Sequence, residues 1–258
     1  MELCIDTHAH LYHKNFAPDE AAMMARAQAV LSHVLLPGID SESIGPLKAL
    51  AGRYPGFCLP MAGLHPCSVQ EGYAQELKLA EAELATGAYV GVGEAGIDLY
   101  WDKTTLPLQQ QALRTQLDWA KQLGLPIVLH SREAFDETIA LVEEAQDGRL
   151  RGVFHCFTDG LAQAQRATAA GFMLGIGGVF TYKNNGGLDA VIKTLGLQHV
   201  VLETDAPYLT PMPHRGKRNE SSYIQLVCQK MAEVFEMPYD EVARTTSANA
   251  RRMFGIKS

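Results

Sequence analysis

Histidines carry the most conspicuous chemistry in this chain. Asp6-Thr7-His8-Ala9-His10 follows the apolar run Leu3-Cys4-Ile5, where a first strand would run out. Side chains at i and i+2 of a strand point the same way, so His8 and His10 would project two imidazoles to one side. Two neutral imidazoles so placed make half of a metal site, although an unrelated surface pair has the same spacing. What favours the metal is recurrence. His65 lies in Gly63-Leu64-His65-Pro66, and Glu94 follows Val90-Gly91-Val92-Gly93. His130 follows Ile127-Val128-Leu129 with Arg132 two residues on, and His155 follows Val153-Phe154. Glu203-Thr204-Asp205 follows Val200-Val201-Leu202. Five of the nine histidines thus fall just past apolar runs, with the best carboxylates beside them.

Those runs alternate with longer amphipathic ones from end to end. Strands are predicted at 3–7, 33–36, 57–62, 89–93, 127–129, 152–154, 172–176 and 199–202. Helical patterns occupy 20–29, 76–85, 106–123, 134–145 and 161–170, and closing helices are expected at 220–235 and 239–254. Eight such alternations in one chain predict an α/β fold, a (β/α)8 TIM barrel, with a doubly wound open sheet as the competitor. No linker or repeat interrupts the chain, so 1–258 is expected to form a single domain. In such barrels catalytic groups gather at the C-terminal ends of the strands, which is where these histidines and carboxylates fall. The set exceeds what one tetrahedral site uses. It therefore suggests two divalent cations, with a carboxylate able to bridge them. Oxygen ligands favour magnesium or manganese and imidazoles pull toward zinc, so the metal stays open.

Composition narrows the function classes. The 258 residues are 47% hydrophobic, ample for a substantial core. A net charge of −7 argues against a nucleic-acid binder basic over its whole surface. Any polyanion contact would be local, and His214-Arg215-Gly216-Lys217-Arg218 is the one dense basic run. Five scattered cysteines without a C-x-x-C suggest reduced thiols. With no secretory signal pattern and no membrane-spanning run, the expected location is the cytoplasm, without membrane association. No stable protein partner is predicted.

Taken together, the chain resembles the TatD family of metal-dependent deoxyribonucleases in the amidohydrolase superfamily. The resemblance rests on Ile5-Asp6-Thr7-His8-Ala9-His10, Gly63-Leu64-His65-Pro66, Gly93-Glu94-Ala95-Gly96-Ile97-Asp98, Leu129-His130-Ser131-Arg132, Phe154-His155-Cys156-Phe157 and Leu202-Glu203-Thr204-Asp205-Ala206-Pro207-Tyr208-Leu209. It implies one metal on His8, His10, Glu94 and Asp205, and a second sharing Glu94 and adding His130 and His155. The family's common Arg-Asn-Glu-Pro departs here to Arg218-Asn219-Glu220-Ser221. Because proline at a helix start mainly presets φ, a modest structural effect is expected.

The resemblance implies a deoxyribonuclease or 3'-5' exonuclease, and the expected chemistry is phosphodiester hydrolysis of DNA, single strands or ends, by a metal-activated water. Glu94 and Asp205 are catalytic candidates, with Asp205 the general base or purely a ligand. Glu203 is either a partner that orients a ligand histidine or a second acid/base group. His65 is a donor to a phosphate oxygen or leaving group, or else a turn histidine. Arg132, Lys183 and Arg215 are candidate phosphate contacts. Tyr182, Tyr208 and Tyr100-Trp101 are base-stacking candidates, with the core the simpler expectation for Trp101. Asp6 is expected to hold one of the two N-terminal histidines. The competing function is an amidohydrolase-type hydrolase of a small amide or phosphoester, and a third is a non-catalytic binding protein. The three cationic side chains favour a phosphate substrate.

Overall fold

Among the described residues the short aliphatic runs become eight parallel strands, and a helix follows each. The computed structural model describes residues 2–257. The strands are β1 (Cys4–Asp6), β2 (Leu31–Leu36), β3 (Cys58–Pro60), β4 (Val92–Asp98), β5 (Ile127–Arg132), β6 (Gly152–Phe154), β7 (Phe172–Ile176) and β8 (Val200–Leu202). The helices are α1 (Glu20–Gln28), α2 (Ser41–Arg53), α3 (Tyr73–Leu84), α4 (Leu106–Leu123), α5 (Phe135–Ala145), α6 (Leu161–Ala169), α7 (Leu188–Leu195), α8 (Ile224–Phe235) and α9 (Tyr239–Phe254). One ladder runs β1-β2-β3 and another β4-β5-β6-β7-β8. Single bridges, Ala62 to Val92 and Ala9 to Ala206, join them, and Thr7 N–H donates to Leu202 O at 3.0 Å. The sheet therefore closes into the (β/α)8 barrel that the alternation predicts.

Inside the barrel the strand period of two builds layers. Ile5, Leu35, Met61, Val128, Val153, Met173 and Val201 form a buried apolar layer, against which Ala250, Met253 and Phe254 of α9 pack. Two residues farther along their strands, Val128 leads to His130, Val153 to His155 and Val201 to Glu203. The polar layer thus sits one step above the apolar one. Met173 leads to Gly175, where an added Cβ would stand 2.1 Å from Glu203 Oε2. Gly175 is the space that the Glu203 carboxylate fills.

Three expectations change. The fourth strand does not end before Glu94. It runs Val92–Asp98, and its pairing with β5 shifts between Val92 and Ala95, so Glu94 sits in a bulge. Such a bulge re-aims a side chain, here toward the barrel axis. Two helices escaped the pattern. α2 contains Pro46 together with Gly45 and Gly52, which weaken a helical signal, yet the capping box of Asp40 and Ser43 starts it. α7 has only eight residues, too few for a clear period. The helix expected at 220–235 begins at Ile224, after a 3-10 turn over Ser221–Tyr223 where the family proline is missing.

Candidate metal centre

Four of the histidines present one ring nitrogen inward, and for three of them the structure says which. Tyr12 Oη lies 2.6 Å from Pro37 O, a group that only accepts. The hydroxyl therefore donates there and accepts from His10 Nδ1–H at 3.0 Å, leaving the Nε2 lone pair free. His155 Nδ1–H donates to Glu203 Oε1 at 3.2 Å, which aims Nε2 at Glu94. His130 Nε2–H donates to Asp98 Oδ2 at 2.9 Å, which aims Nδ1 at Glu94. His8 is fully buried, stacks on His155 at 3.8 Å, and its Nδ1 has no partner among the described residues.

Glu94 divides these donors into two groups. Its Oε2 lies 3.1 Å from His8 Nε2 and 3.6 Å from His10 Nε2. Asp205 Oδ1 completes that side, 3.6 Å from His10 Nε2 and 3.9 Å from His8 Nε2. Glu94 Oε1 lies 3.1 Å from His130 Nδ1 and 3.2 Å from His155 Nε2. Donors held about 2.0–2.2 Å from one cation stand roughly 3.0–3.6 Å apart, and all four histidine–Glu94 distances fall in that range. Among the described residues, the triads whose donor atoms lie within 4.8 Å of one another are His8, His10 and Glu94, then His8, His155 and Asp205, and then His65, Glu94 and His130.

The electrostatics fit a cation site. Burial pushes the Glu94 carboxyl up, but His65, His8 and His155 outweigh it and hold it well below the usual range. Burial likewise raises Asp205, and the His10 hydrogen bond and the neighbouring imidazoles reverse that. For His155, burial favours the neutral ring, but Glu94 and Glu203 raise it well above the ordinary histidine value. The same two carboxylates that raise this imidazole would favour a cation at Nε2 in place of a proton.

The remaining candidates fall differently. His65 Nδ1 accepts from Cys67 N–H at 3.0 Å, so its proton sits on Nε2, 3.4 Å from Glu94 Oε1. That tautomer makes His65 a donor facing the centre. Glu203 Oε1 accepts from Cys156 N–H at 2.6 Å as well as from His155, which holds this candidate ligand from behind. Asp6 does not hold an imidazole. Its Oδ1 accepts from the backbone N–H groups of His8 and Thr204, and Oδ2 from Thr204 Oγ1. A carboxylate so short turns to the adjacent strand end, and burial pushes it up to about 7.

Above the centre opens a cleft of about 730 Å³ lined by His10, His65, Trp101, Arg132, Asp205 and Tyr208 among others. Lys183 and Arg215 lie outside that lining. Lys183 is exposed beyond the turn that follows β7, and Arg215 stacks over the Tyr182 ring at 4.5 Å. Trp101 is not in the core. It is 70% exposed, because Asp98 holds its loop outside the barrel wall. Arg218, in the basic run, is spent on Asp19 at 2.6 Å. Tyr12 and Asp98 went unassigned from sequence. The signals were there, an aromatic hydroxyl two residues past His10 and an acid closing Gly93-Glu94-Ala95-Gly96-Ile97-Asp98.

A family model described as TatD related DNase matches residues 5–255. The chain is 33% identical over 255 residues to an uncharacterized metal-dependent hydrolase, YabD of Bacillus subtilis, covering 98% of this chain and 100% of that one. It is 31% identical to the 3'-5' ssDNA/RNA exonuclease TatD of Yersinia pseudotuberculosis, covering 97% and 99%. The crystal structure of the TatD homolog YjjV of Escherichia coli superposes with a TM-score of 0.90 at 32% identity, covering 98% of each chain. With its histidines and carboxylates gathered at one mouth of the barrel, the chain belongs to the TatD-related DNase family of metal-dependent hydrolases.

Proposed function

We propose that the protein is a two-metal exonuclease that hydrolyses phosphodiester bonds of DNA from the 3' end, preferring single strands. The observation that carries this is the division of donors across Glu94, one carboxylate oxygen facing His8 and His10, the other His130 and His155. Asp205 joins the first group. Two divalent cations in these cages would acidify a water and polarise a phosphoryl oxygen. Magnesium, manganese and zinc all suit a mixed imidazole and carboxylate set. The named exonuclease relative supports a nucleic-acid substrate.

The chain's own groups have distinct tasks in this reading. Asp205 is held ionised and its side chain is 14% exposed, so it faces the cleft as the acceptor of a proton from the attacking water. His65 Nε2–H donates to a phosphoryl or leaving oxygen. Arg132, on the cleft wall, offers a planar fork to an adjacent phosphate. Glu203 and Asp98 hold His155 and His130 in their inward tautomers. Five free cysteines support a reducing compartment such as the cytoplasm. Among the described residues no helix is long and apolar enough to cross a membrane.

The test is chelator-stripped protein incubated with end-labelled single-stranded DNA, with magnesium, manganese or zinc added in turn and Glu94→Ala as control. Stepwise shortening from the 3' end, restored by metal and absent in the variant, is expected. Metal uptake without cleavage of any strand overturns the nuclease and leaves a small amide or phosphoester as the substrate to try.

A further inference from the structure

Trp101 is 70% exposed and Tyr100 48%, side by side on the cleft rim of a barrel whose other tryptophan is buried. Exposure of so much apolar ring at a site mouth marks a surface that meets something. The pair is also tied to the barrel by its backbone. Asp98 Oδ1 accepts from the backbone N–H of Tyr100 at 2.9 Å and of Trp101 at 3.2 Å. Its other oxygen accepts the hydrogen bond from His130 Nε2–H. The loop is thus fastened to the same carboxylate that aims a candidate metal ligand. The rings meet edge to face at 4.9 Å. Arg132, two residues beyond His130 on β5, lays its guanidinium 3.7 Å from the Tyr100 ring centroid and 5.7 Å from that of Trp101. Among the described residues it pairs with no carboxylate, so its charge is available to an anion.

We propose that Trp101, backed by Tyr100 and Arg132, is the stacking platform for one unpaired nucleobase of the substrate strand, with Arg132 also reaching its phosphate. This rests on the nuclease reading and adds a specificity-determining residue to it. A flat, exposed indole beside a cation accepts the π-face of any base and reads no sequence. A base inside a duplex offers no such face, so the platform selects strands that are single or frayed. Placing it beside Asp98 sets the stacked nucleoside next to the metal cages, where the following phosphate can enter.

The chain has two tryptophans and Trp119 is only 6% exposed, so fluorescence quenching by an added strand reports Trp101. Chelator-stripped protein, which cannot cleave, is titrated with an oligothymidylate and with an abasic oligomer of equal length. Oligothymidylate is expected to quench and to bind more tightly than the abasic strand. Trp101→Ala should weaken its binding, read by anisotropy of a labelled strand, about tenfold, the worth of one stacked base. Trp101→Phe should recover most of it. With metal restored, Trp101→Ala should raise KM for oligothymidylate with little change in kcat, and the preference over the abasic strand should collapse. Equal binding of both strands by the unaltered protein, or unchanged affinity in Trp101→Ala, overturns the platform while cleavage of DNA still stands. If the unaltered protein neither binds nor cleaves DNA, the nuclease reading and the platform fall together.

Discussion

Each candidate ligand histidine is only as good as the group behind it. His10 is set by Tyr12, His130 by Asp98 and His155 by Glu203. Removing such a partner frees the ring to rotate and to change tautomer, and typically lowers metal affinity about 10–100-fold. Glu203→Ala should therefore weaken metal binding by about that factor, measured by calorimetric titration of stripped protein. Glu203→Gln retains an acceptor for both His155 and Cys156 and should lose much less. Equal losses in the two variants would mean that the carboxylate charge, not its acceptor geometry, is what matters. The histidines and acids of the centre were legible in the sequence because each follows an apolar run at a strand end. Among their partners, Glu203 was legible as a group that could orient a histidine, but not which one, since it meets His155 from two strands away. Tyr12 and Asp98 were not, and Asp98 meets His130 only through the β4–β5 register. Trp101 was misjudged because ring size argues for the core, and only the backbone bonds to Asp98 show why it stands outside.

The element that does most to place the centre is β4. Its bulge turns Glu94 inward, and Gly96 then lets β5 come close. Gly96 has φ 143°, and a Cβ there would sit 1.9 Å from His130 O. Gly96→Ala meets both a strained backbone and a carbonyl that cannot retreat without pulling His130 from Glu94. A loss of at least ~2 kcal/mol is expected, read as a lower urea midpoint, together with weakened metal uptake. Gly124, a helix C-cap with φ 65° and open space around it, is the control, since its alanine variant meets strain alone. Full metal affinity in Gly96→Ala would show that β5 can shift without carrying His130. Pattern reading placed this strand but ended it at residue 93, because the two glycines interrupt its apolar run. The same pattern found α4 and α9 to the residue, where long amphipathic repeats leave little ambiguity.

At the scale of the whole barrel, closure between first and last strands is thin, and an ionic clasp outside it reinforces the seam. Arg26 on α1 donates to both oxygens of Glu220, at 2.8 and 2.7 Å, and Arg218 to both of Asp19. Between Arg218 and Glu220, the buried Asn219 side chain donates to Thr204 O and Tyr208 O, the segment that carries Asp205. The clasp therefore steadies a site residue as well as the fold, and neither its partners nor the single-bridge seam can be read from local sequence. The hydrogen bond from Arg218 leads in pulling the Asp19 carboxyl down to about 2. For Glu220 burial raises the carboxyl, and Arg26 and Ser222 reverse it to below the usual value. A carboxylate depressed on folding adds stability that is complete above its unfolded pKa, near 4, and is lost as pH falls through the folded one. The clasp should thus hold at neutral pH and fail between roughly pH 4 and pH 2. Thermal unfolding followed across that window should show Tm falling for the unaltered protein. The fall should be shallower for Arg218→Met, which has less to lose, although its Tm at neutral pH is lower. Because the pairs are partly exposed, each contributes little, and salt should blunt the difference. Parallel Tm curves for the two proteins would mean that acid acts elsewhere and that the seam is held by its backbone bridges alone.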